Sequence, residues 1–266
     1  MSEESTHVFL SDKRDVRESS WNDSADWQAG VPTNVRIHND RLRPKPVRPP
    51  SGVSRWNFES DLSDSWGENG GIDRTSSGYQ SGAIGNYAKQ FDGNSDRVVI
   101  PHSTSLQFES EISISAWTYW AGGGDNNMRV LTKRTNPLTR ESYGLAKDQF
   151  LNKDDSLAFR LYVDGEFSTV DSPNPMPTNV WVHWVGTWDG TTQRLYKNGN
   201  EVASKQATGT LVQNNDNLGI GGRGDGENDW WKGALDDIQL YSKSLSASEV
   251  SRSEERRVGK ECFLLC

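Results

Sequence analysis

The sequence predicts an all-β fold, a sandwich or barrel of many short antiparallel strands, and three observations support this prediction. Apolar and polar residues alternate repeatedly with the period of two that is typical of half-buried strands. Asp-Gly and Asn-Gly dipeptides, which favour tight hairpins, interrupt this alternation. No helical segment is long enough for a β-α-β crossover, and short strands with frequent turns are typical of sandwiches and barrels.

The first clear strands lie in the middle of the chain. In Ile112–Trp120 one face is mostly apolar, so at least half of this strand must be buried. Leu157–Val163 alternates in the same way and ends at Asp164-Gly165, a strong signal for a turn. The return strand is therefore predicted to begin near Glu166.

A β-meander and a closing strand follow. Trp181–Trp188 alternates and stops at Asp189-Gly190, and the next strand turns at Asn198-Gly199. Ala234–Tyr241 has the pattern of a closing strand. Ser246-x-x-Glu249 has the spacing of a capping box, which predicts one short helix after that strand.

The composition narrows the classes of partner. The 266 residues are 33% hydrophobic and include 11 tryptophans, which predicts an aromatic-rich core. A net charge of −8 disfavours nucleic acid and anionic membranes, since both need clustered Lys and Arg. No run approaches the roughly 20 apolar residues of a membrane span, and Met1–Asp12 lacks the apolar stretch of a signal peptide.

The chain divides into four predicted segments. Residues 1–20 are polar with little periodicity and predict a disordered lead-in. Residues 21–50 predict a short strand remnant and a Pro/Arg-rich linker, with a ligand for an SH3-type domain as the alternative. Residues 51–251 hold the main domain, and residues 252–266, with both cysteines, resemble an in-frame translation of a common sequencing adapter.

Five motifs, in order and with regular spacing, resemble the LamG-like (laminin G-like) family of the concanavalin A-like lectin and glucanase superfamily. They are WNFESDLSDSWGENGG from Trp56, AKQFDGNSDRVVIP from Ala88, SISAWTYW from Ser113, WVHWVGTWDGTTQRLYKNGNEV from Trp181 and WWKGALDDIQLYSKSLSASEV from Trp230. The resemblance covers about 200 residues. It implies an antiparallel two-sheet jelly-roll β-sandwich whose rim loops bind glycans or protein partners, although a fold alone does not fix a function.

Two groups of oxygen-bearing side chains are candidate calcium sites. Asp92, Asn94 and Asp96 alternate in a turn that could wrap a hard cation, and the alternative is a plain connection between two strands. Glu59 and Asp237 lie on the first and last predicted strands of the domain and could share a cation. The alternative for this pair is solvated charge on an edge strand.

Three further acids raise the possibility of catalysis. Asp225, Glu227 and Asp229 alternate, as the carboxylates of superfamily glycosidases do along one strand. Here they occupy a glycine-rich segment, whereas a retaining hydrolase needs two rigidly held carboxylates with different pKa values. No catalytic residue is therefore assigned, and a glycoside hydrolase or polysaccharide lyase remains an alternative.

The aromatic residues divide into core and candidate binding residues. Trp117, Trp181, Trp184, Trp188 and Trp231 are predicted to lie in the core. The predicted ligand-binding residues flank polar, glycine-rich loops, and they are Trp66, Tyr79, Asn126, Asn127, Arg223, Asp225, Glu227, Asp229 and Trp230.

The sequence thus predicts a non-enzymatic recognition module that binds a glycan or a surface protein, with Ca²⁺ as the candidate cofactor. An extracellular, cell-surface or virion location fits such a module.

Overall fold

The computed structural model describes residues 48–134, 141–148 and 155–262. These residues belong to one compact unit, residues 46–266. The predictions for residues 1–20, for nearly all of 21–50 and for the last part of 252–266 fall outside the described residues. Within the described part, no helix is long and apolar enough to cross a membrane.

The described residues form strands in two antiparallel sheets, one α-helix and a short 3₁₀ turn at Thr104–Leu106. The strands are β1 Gly52–Trp56, β2 Ile72–Arg74, β3 Tyr79–Ser81, β4 Tyr87–Asp92, β5 Arg97–Ile100, β6 Ile112–Trp120, β7 Arg129–Lys133, β8 Tyr143–Asp148, β9 Ser156–Val163, β10 Glu166–Asp171, β11 Trp181–Trp188, β12 Thr192–Lys197, β13 Asn200–Gln206, β14 Leu218–Ile220 and β15 Lys232–Tyr241. The helix is α1, Ala247–Cys262.

The strand order confirms the predicted two-sheet sandwich. The first sheet runs β13-β12-β11-β6-β15-β4-β3, and β1 also pairs with β15. The second sheet runs β10-β9-β8-β7-β14-β5-β2. Because β1 and β15 are neighbours, the two ends of the domain meet in the middle of the first sheet.

The hairpins follow the dipeptides that predicted them. Asp164 and Gly165 have φ values of 49° and 85°, and Asn198 and Gly199 have 47° and 79°. A type I′ turn requires positive φ at both central residues, which Asn, Asp and Gly tolerate best. Val163 consequently pairs with Glu166, as predicted.

The core between the sheets is rich in tryptophan, as predicted. Trp56, Trp184, Trp188 and Trp231 are completely buried there. Trp117 is also buried, but strand alternation places it on the outer face of the first sheet, where it stacks on His183 at 4.9 Å. Trp181 is partly exposed beside Tyr119, so its assignment to the core is wrong.

A smaller apolar cluster covers part of the outer face of the first sheet. It consists of Trp66, Val185, Tyr196, Tyr241, Leu245 and Val250. Helix α1 supplies Val250 and begins with the predicted capping box: the Ser246 amide donates to Glu249 Oε2 at 3.0 Å, and the Glu249 amide donates to Ser246 Oγ at 3.4 Å. The helix runs on to Cys262 and is longer than predicted.

Candidate functional site

Three loops meet at one end of the sandwich and form what we call the rim site. They are residues 93–96 between β4 and β5, residues 121–128 between β6 and β7, and residues 221–231 between β14 and β15. Strand pairing holds them together. Lys232 pairs with Asp92, and the Lys232 carbonyl accepts a hydrogen bond from the Ala121 amide at 3.0 Å. Arg129 donates its amide to the Asp229 carbonyl at 2.9 Å, which ties the third loop to β7.

Trp230 is the aromatic residue at the centre of the rim site. Its side chain is partly buried, and the guanidinium carbon of Arg97 lies 5.5 Å from the ring centroid. Gly222 packs against the same ring, since a Cβ atom on that glycine would lie only 2.8 Å from Trp230 Cε3. The glycine and the arginine thus hold an indole that remains open to solvent in part, as the sequence predicted for this residue.

The acidic residues of the third loop are engaged with arginines. An Asp225 carboxylate oxygen lies 2.5 Å from Arg223 Nη2, and Asp229 Oδ2 lies 3.1 Å from Arg129 Nη2. Asp229 has φ 66°, and the residue before it is also in the left-handed region. These ion pairs orient the two carboxylates as hydrogen-bond acceptors at the rim.

The other predicted binding residues of these loops differ in exposure. Asn126 and Glu227 are exposed. Asn127 is partly buried, and its side-chain Oδ1 has no hydrogen-bond partner among the described residues. Arg223 is only 5% exposed, so it supports Asp225 from beneath and does not present its own guanidinium to a ligand.

Trp66 and Tyr79 do not belong to the rim site. Trp66 is 7% exposed and packs edge-on against Tyr241 at 5.3 Å, so the expectation that it would be exposed is wrong. Trp66 lies near residues 101–105, which follow β5, whereas the rim turn at residues 93–96 precedes β5. Trp66 and the rim site are therefore at opposite ends of the sandwich. Tyr79 lies on edge strand β3, with the Lys89 ammonium 4.7 Å from its ring centroid.

Sequence analysis missed a buried charge network that adjoins the rim site. Glu141 is 1% exposed and lies 3.5 Å from Arg129 Nη1, 3.4 Å from Arg160 Nε and 3.9 Å from Arg134 Nη1. Thr132 also donates its hydroxyl to Glu141 at 2.9 Å. Burial favours the neutral acid, but the three arginines outweigh it and lower the pKa of Glu141 to about 2.

One signal could have revealed this network. Arg160 lies within a strand that is otherwise almost entirely apolar, "SLAFRLYV", and Arg129 begins the strand "RVLTK" beside Val130 and Leu131. A charge in a buried strand requires a partner, because an isolated buried charge is very costly. The sequence does not show which distant carboxylate supplies that partner.

Comparison with known proteins now identifies the fold family. A laminin G-type family model, described as the concanavalin A-like lectin/glucanases superfamily, matches residues 92–251. This chain belongs to that superfamily. No curated protein sequence matches it.

Several solved structures are similar to this chain at low sequence identity, and this similarity is evidence for the fold only. Domain 4 of AbnA, a GH43 extracellular arabinanase from Geobacillus stearothermophilus in complex with arabinotriose, has a TM-score of 0.62 and 20% identity; the match covers 76% of this chain and 97% of that one. The binding domain of Paraclostridial Mosquitocidal Protein 1 has a TM-score of 0.63 and 18% identity, covering 77% and 52%.

The receptor-binding domain of botulinum neurotoxin D is also similar, with a TM-score of 0.60 and 14% identity over 78% of this chain and 53% of that one. This superfamily member therefore spans about half the length of each of these two toxin domains.

The turn from Asp92 to Asp96 is stabilised by hydrogen bonds from its own backbone amides. Asp92 Oδ1 accepts the amides of Asn94, Ser95 and Asp96 at 2.9–3.1 Å, and these bonds lower its pKa against the effect of burial. Asp96 is fully buried and accepts amides from Ser76 and Ser77. A calcium ion at this turn would have to displace those donors.

The pair Glu59 and Asp237 is also arranged differently from the prediction. Asp237 Oδ1 lies 2.5 Å from Arg55 Nε, and Glu59 instead accepts the Asn86 amide at 2.7 Å. Strand β15 lies between β4 and β6, so Asp236 and Asp237 are buried and the alternative of solvated edge charge is wrong. Burial is the main cause that raises the pKa of Asp236, and the charges of Asp237 and Glu59 add to it.

Asp236 belongs to a group of oxygen atoms that we call the acidic cradle. A Cβ atom built on Gly82 would lie 2.6 Å from the Tyr87 carbonyl oxygen and 2.7 Å from both Asp236 Oδ2 and the Ile84 carbonyl oxygen. These three oxygen atoms therefore converge beside Gly82, where no side chain separates them. Asp236 Oδ1 is buried with no hydrogen-bond partner among the described residues.

The electrostatics of the acidic cradle fit a cation. Burial, with contributions from Asp237 and Glu59, raises the pKa of Asp236 to about 8. No group of three or more His, Cys, Asp or Glu side chains is placed for a metal anywhere in the described residues. The cradle instead combines the Asp236 carboxylate with the carbonyls of Ile84 and Tyr87, and Glu59 is bonded to the Asn86 amide of the same loop. Carboxylate and carbonyl oxygens are ligand types that suit Ca²⁺.

Proposed function

We propose that this domain is a non-catalytic module that binds a glycan at the rim site, with Trp230 as the platform for a sugar ring. The observation that carries the proposal is a partly exposed indole, braced by Arg97, in the middle of three polar loops. Saccharide sites combine a flat aromatic surface with a few polar groups for the hydroxyls. Asn126 and Glu227 are exposed in the loops of the rim site.

The comparisons support the same class of ligand. The structure of AbnA domain 4 contains arabinotriose, a neutral saccharide. The two toxin domains are described as binding or receptor-binding domains, which favours a protein receptor as the second candidate partner. Laminin G-like and toxin-binding domains are typically extracellular, and we propose the same location for this domain.

The arginine pairings argue for binding over hydrolysis. A retaining glycosidase needs one carboxylic acid that keeps its proton, with a second carboxylate about 5–5.5 Å away. Asp225 and Asp229 instead each form an ion pair with an arginine. We therefore expect no release of reducing sugar from polysaccharides that the domain binds.

The substitution Trp230→Ala tests the platform. We expect at least a tenfold loss of affinity in calorimetric titrations, because about 1.4 kcal/mol of binding free energy corresponds to a factor of ten. The titrant is arabinotriose, followed by the strongest ligand from a glycan array. The melting temperature should fall by no more than about 4 °C, because the ring is only partly buried.

Phe167→Ala is the matched control for this experiment. Phe167 is 41% exposed, and the guanidinium carbon of Arg160 lies 4.6 Å from its ring centroid. The two residues form a comparable aromatic–arginine pair away from the rim. Saccharide affinity should survive its loss. Equal affinity of Trp230→Ala and the wild type, or equal weakening by both substitutions, contradicts the proposed platform.

We also propose that the acidic cradle binds Ca²⁺ and that the ion stabilises the rim-bearing sheet. Asp236 and Glu59 would hold it, and its charge would allow the Asp236 carboxylate to ionise. At a hundredfold excess over the dissociation constant, binding adds about 2.7 kcal/mol of stability. For a domain of this size that corresponds to a rise in melting temperature of roughly 5–10 °C.

Thermal melts with Ca²⁺ or with EDTA check this prediction. Asp236→Asn should lose the calcium-dependent shift, whereas Asp237→Asn should keep it, because Asp237 is bonded to Arg55 and lies outside the cradle. Without metal, stability should fall as the pH rises from about 4 towards 8, since the folded state holds the Asp236 proton more tightly than the unfolded chain. A calcium shift in Asp236→Asn as large as in the wild type would disprove the cradle.

A further inference from the structure

A second cavity lies at the end of the sandwich opposite the rim site. Strand β5 starts at Arg97 beside the rim turn and ends at Ile100, and residues 101–105, which follow it, line this cavity. Its volume is about 800 Å³, within the 300–1,000 Å³ of typical small-ligand sites. We call it the distal pocket, and its lining includes Arg48, Trp66, Asn69, Gly70, His102 and Ser105.

The polar groups of the distal pocket are held in fixed positions. Asn69 is buried and both donates to and accepts from the Ser105 hydroxyl, at 3.0 and 3.1 Å. Ser103 Oγ lies 2.9 Å from Ser105 Oγ. The backbone carbonyl of Asn69 accepts a hydrogen bond from the Trp56 indole N–H at 2.8 Å, which anchors this loop to the core. Both N–H groups of the Asn69 side chain are already engaged, by Ser54 Oγ and Ser105 Oγ, so the Ser103 and Ser105 hydroxyls are the groups that can donate to and accept from a ligand.

Trp66 supplies the aromatic surface of the distal pocket. The residue is 7% exposed and lines the pocket, and its indole nitrogen is buried with no hydrogen-bond partner among the described residues. That nitrogen is covered by protein, so a molecule in the pocket would contact the face or edge of the indole ring and not its N–H group.

The charges of the lining define the class of ligand. Arg48 and Glu68 carry opposite charges, so the pocket as a whole favours neither anions nor cations. Arg48 already donates to the carbonyls of Gly52 and Trp66, at 2.6 and 3.3 Å. Val53, Pro101 and the Trp66 ring supply apolar surface between the polar groups. This combination suits a neutral molecule rich in hydroxyl groups.

We infer that the distal pocket is a second saccharide site, which takes one or two neutral sugar units independently of the rim site. The inference rests on the proposed function for its ligand class only, since the pocket and the rim share no lining residue. One domain would then hold two sugar chains from opposite ends.

Gly70→Phe is the variant that tests the distal pocket. A Cβ atom on Gly70 meets nothing within 4 Å, and the backbone there is outside the left-handed region, so a phenyl group can occupy the pocket without strain. Gly78→Phe is the matched control, because Gly78 is equally open but lies between β2 and β3, outside the pocket. Thermal melts of both variants verify that they fold.

Calorimetric titration of the full chain with arabinotriose, lactose and cellobiose gives the decisive measurement. We expect two sites for at least one of these sugars in the wild type and in Gly78→Phe, and one site in Gly70→Phe. Trp230→Ala should retain the distal site, and the double variant should bind none of the sugars.

Each remaining outcome is informative. Binding that Gly70→Phe abolishes but Trp230→Ala leaves intact would support the distal pocket and refute the rim proposal. A single site that Trp230→Ala removes, equal binding by the two glycine variants, or no binding of any of the three sugars would overturn the inference.

Discussion

Glu141→Gln is expected to lower the free energy of unfolding by about 3–5 kcal/mol, the usual cost of removing one partner from a buried ion pair. The carboxylate lies within 4 Å of Arg129, Arg134 and Arg160, and all four side chains are nearly inaccessible to solvent. Glutamine keeps the shape but leaves the guanidinium groups without their central negative charge. Urea denaturation measures the loss.

The same substitution should change how stability depends on pH. The folded-state pKa of Glu141, about 2, is below its ordinary value of 4.5, so its stabilisation is complete above pH 4.5 and is lost as the pH falls towards 2. A difference of that size corresponds to about 3 kcal/mol. The wild type should therefore lose more stability than Glu141→Gln between pH 5 and pH 2.

Glu201→Gln is the control for the charge change. Glu201 is 43% exposed and lies 4.0 Å from Arg194, so its loss should cost no more than about 0.5 kcal/mol. If both glutamine variants unfold at the same urea concentration, the Glu141 network contributes nothing special to stability.

Trp56→Ala should be comparably severe, with an expected cost of about 3–5 kcal/mol. Trp56 is completely buried in the core, and its indole N–H donates to the Asn69 carbonyl at 2.8 Å. The alanine variant would lose both the packing and that hydrogen bond, and so would loosen the loop that lines the distal pocket. Trp56→Phe separates the two effects, because it keeps most of the packing and loses only the donor.

Trp181→Ala provides the comparison within one residue type. Trp181 is partly exposed and makes a tilted contact with Tyr119 at 5.6 Å. Its removal should cost about 1 kcal/mol in the same urea experiment. A loss equal to that of Trp56→Ala would show that burial does not determine the importance of these tryptophans.

Much of the fold could be predicted because its signals are local. Asp164-Gly165 and Asn198-Gly199 adopt the positive φ angles that a tight hairpin needs at both central residues. Alternation in Ile112–Trp120 likewise follows from strand geometry alone, and the strand has those bounds. The capping box at Ser246 is a contact between residues three apart. Such features depend on neighbours in sequence.

The candidate site could be predicted only in part. Trp230 is open at the rim, as its polar surroundings indicated, but Trp66 has similar surroundings and is buried against Tyr241. The difference lies in what covers each ring, and for Trp66 the cover comes from β15 and the segment after it, about 175 residues further along the chain. Local polarity carries no information about such a partner.

The sequence by itself determined which segments become strands, where they turn, and the superfamily to which the chain belongs. Only the tertiary structure decided that Asp236 and Asp237 are buried, that Glu141 is surrounded by arginines, and that both faces of β6 are buried. The physical reason is that period-two alternation assigns side chains to two faces but does not say what packs on either one. Pairings such as Arg55 with Asp237, 182 residues apart, arise only when the sheets assemble.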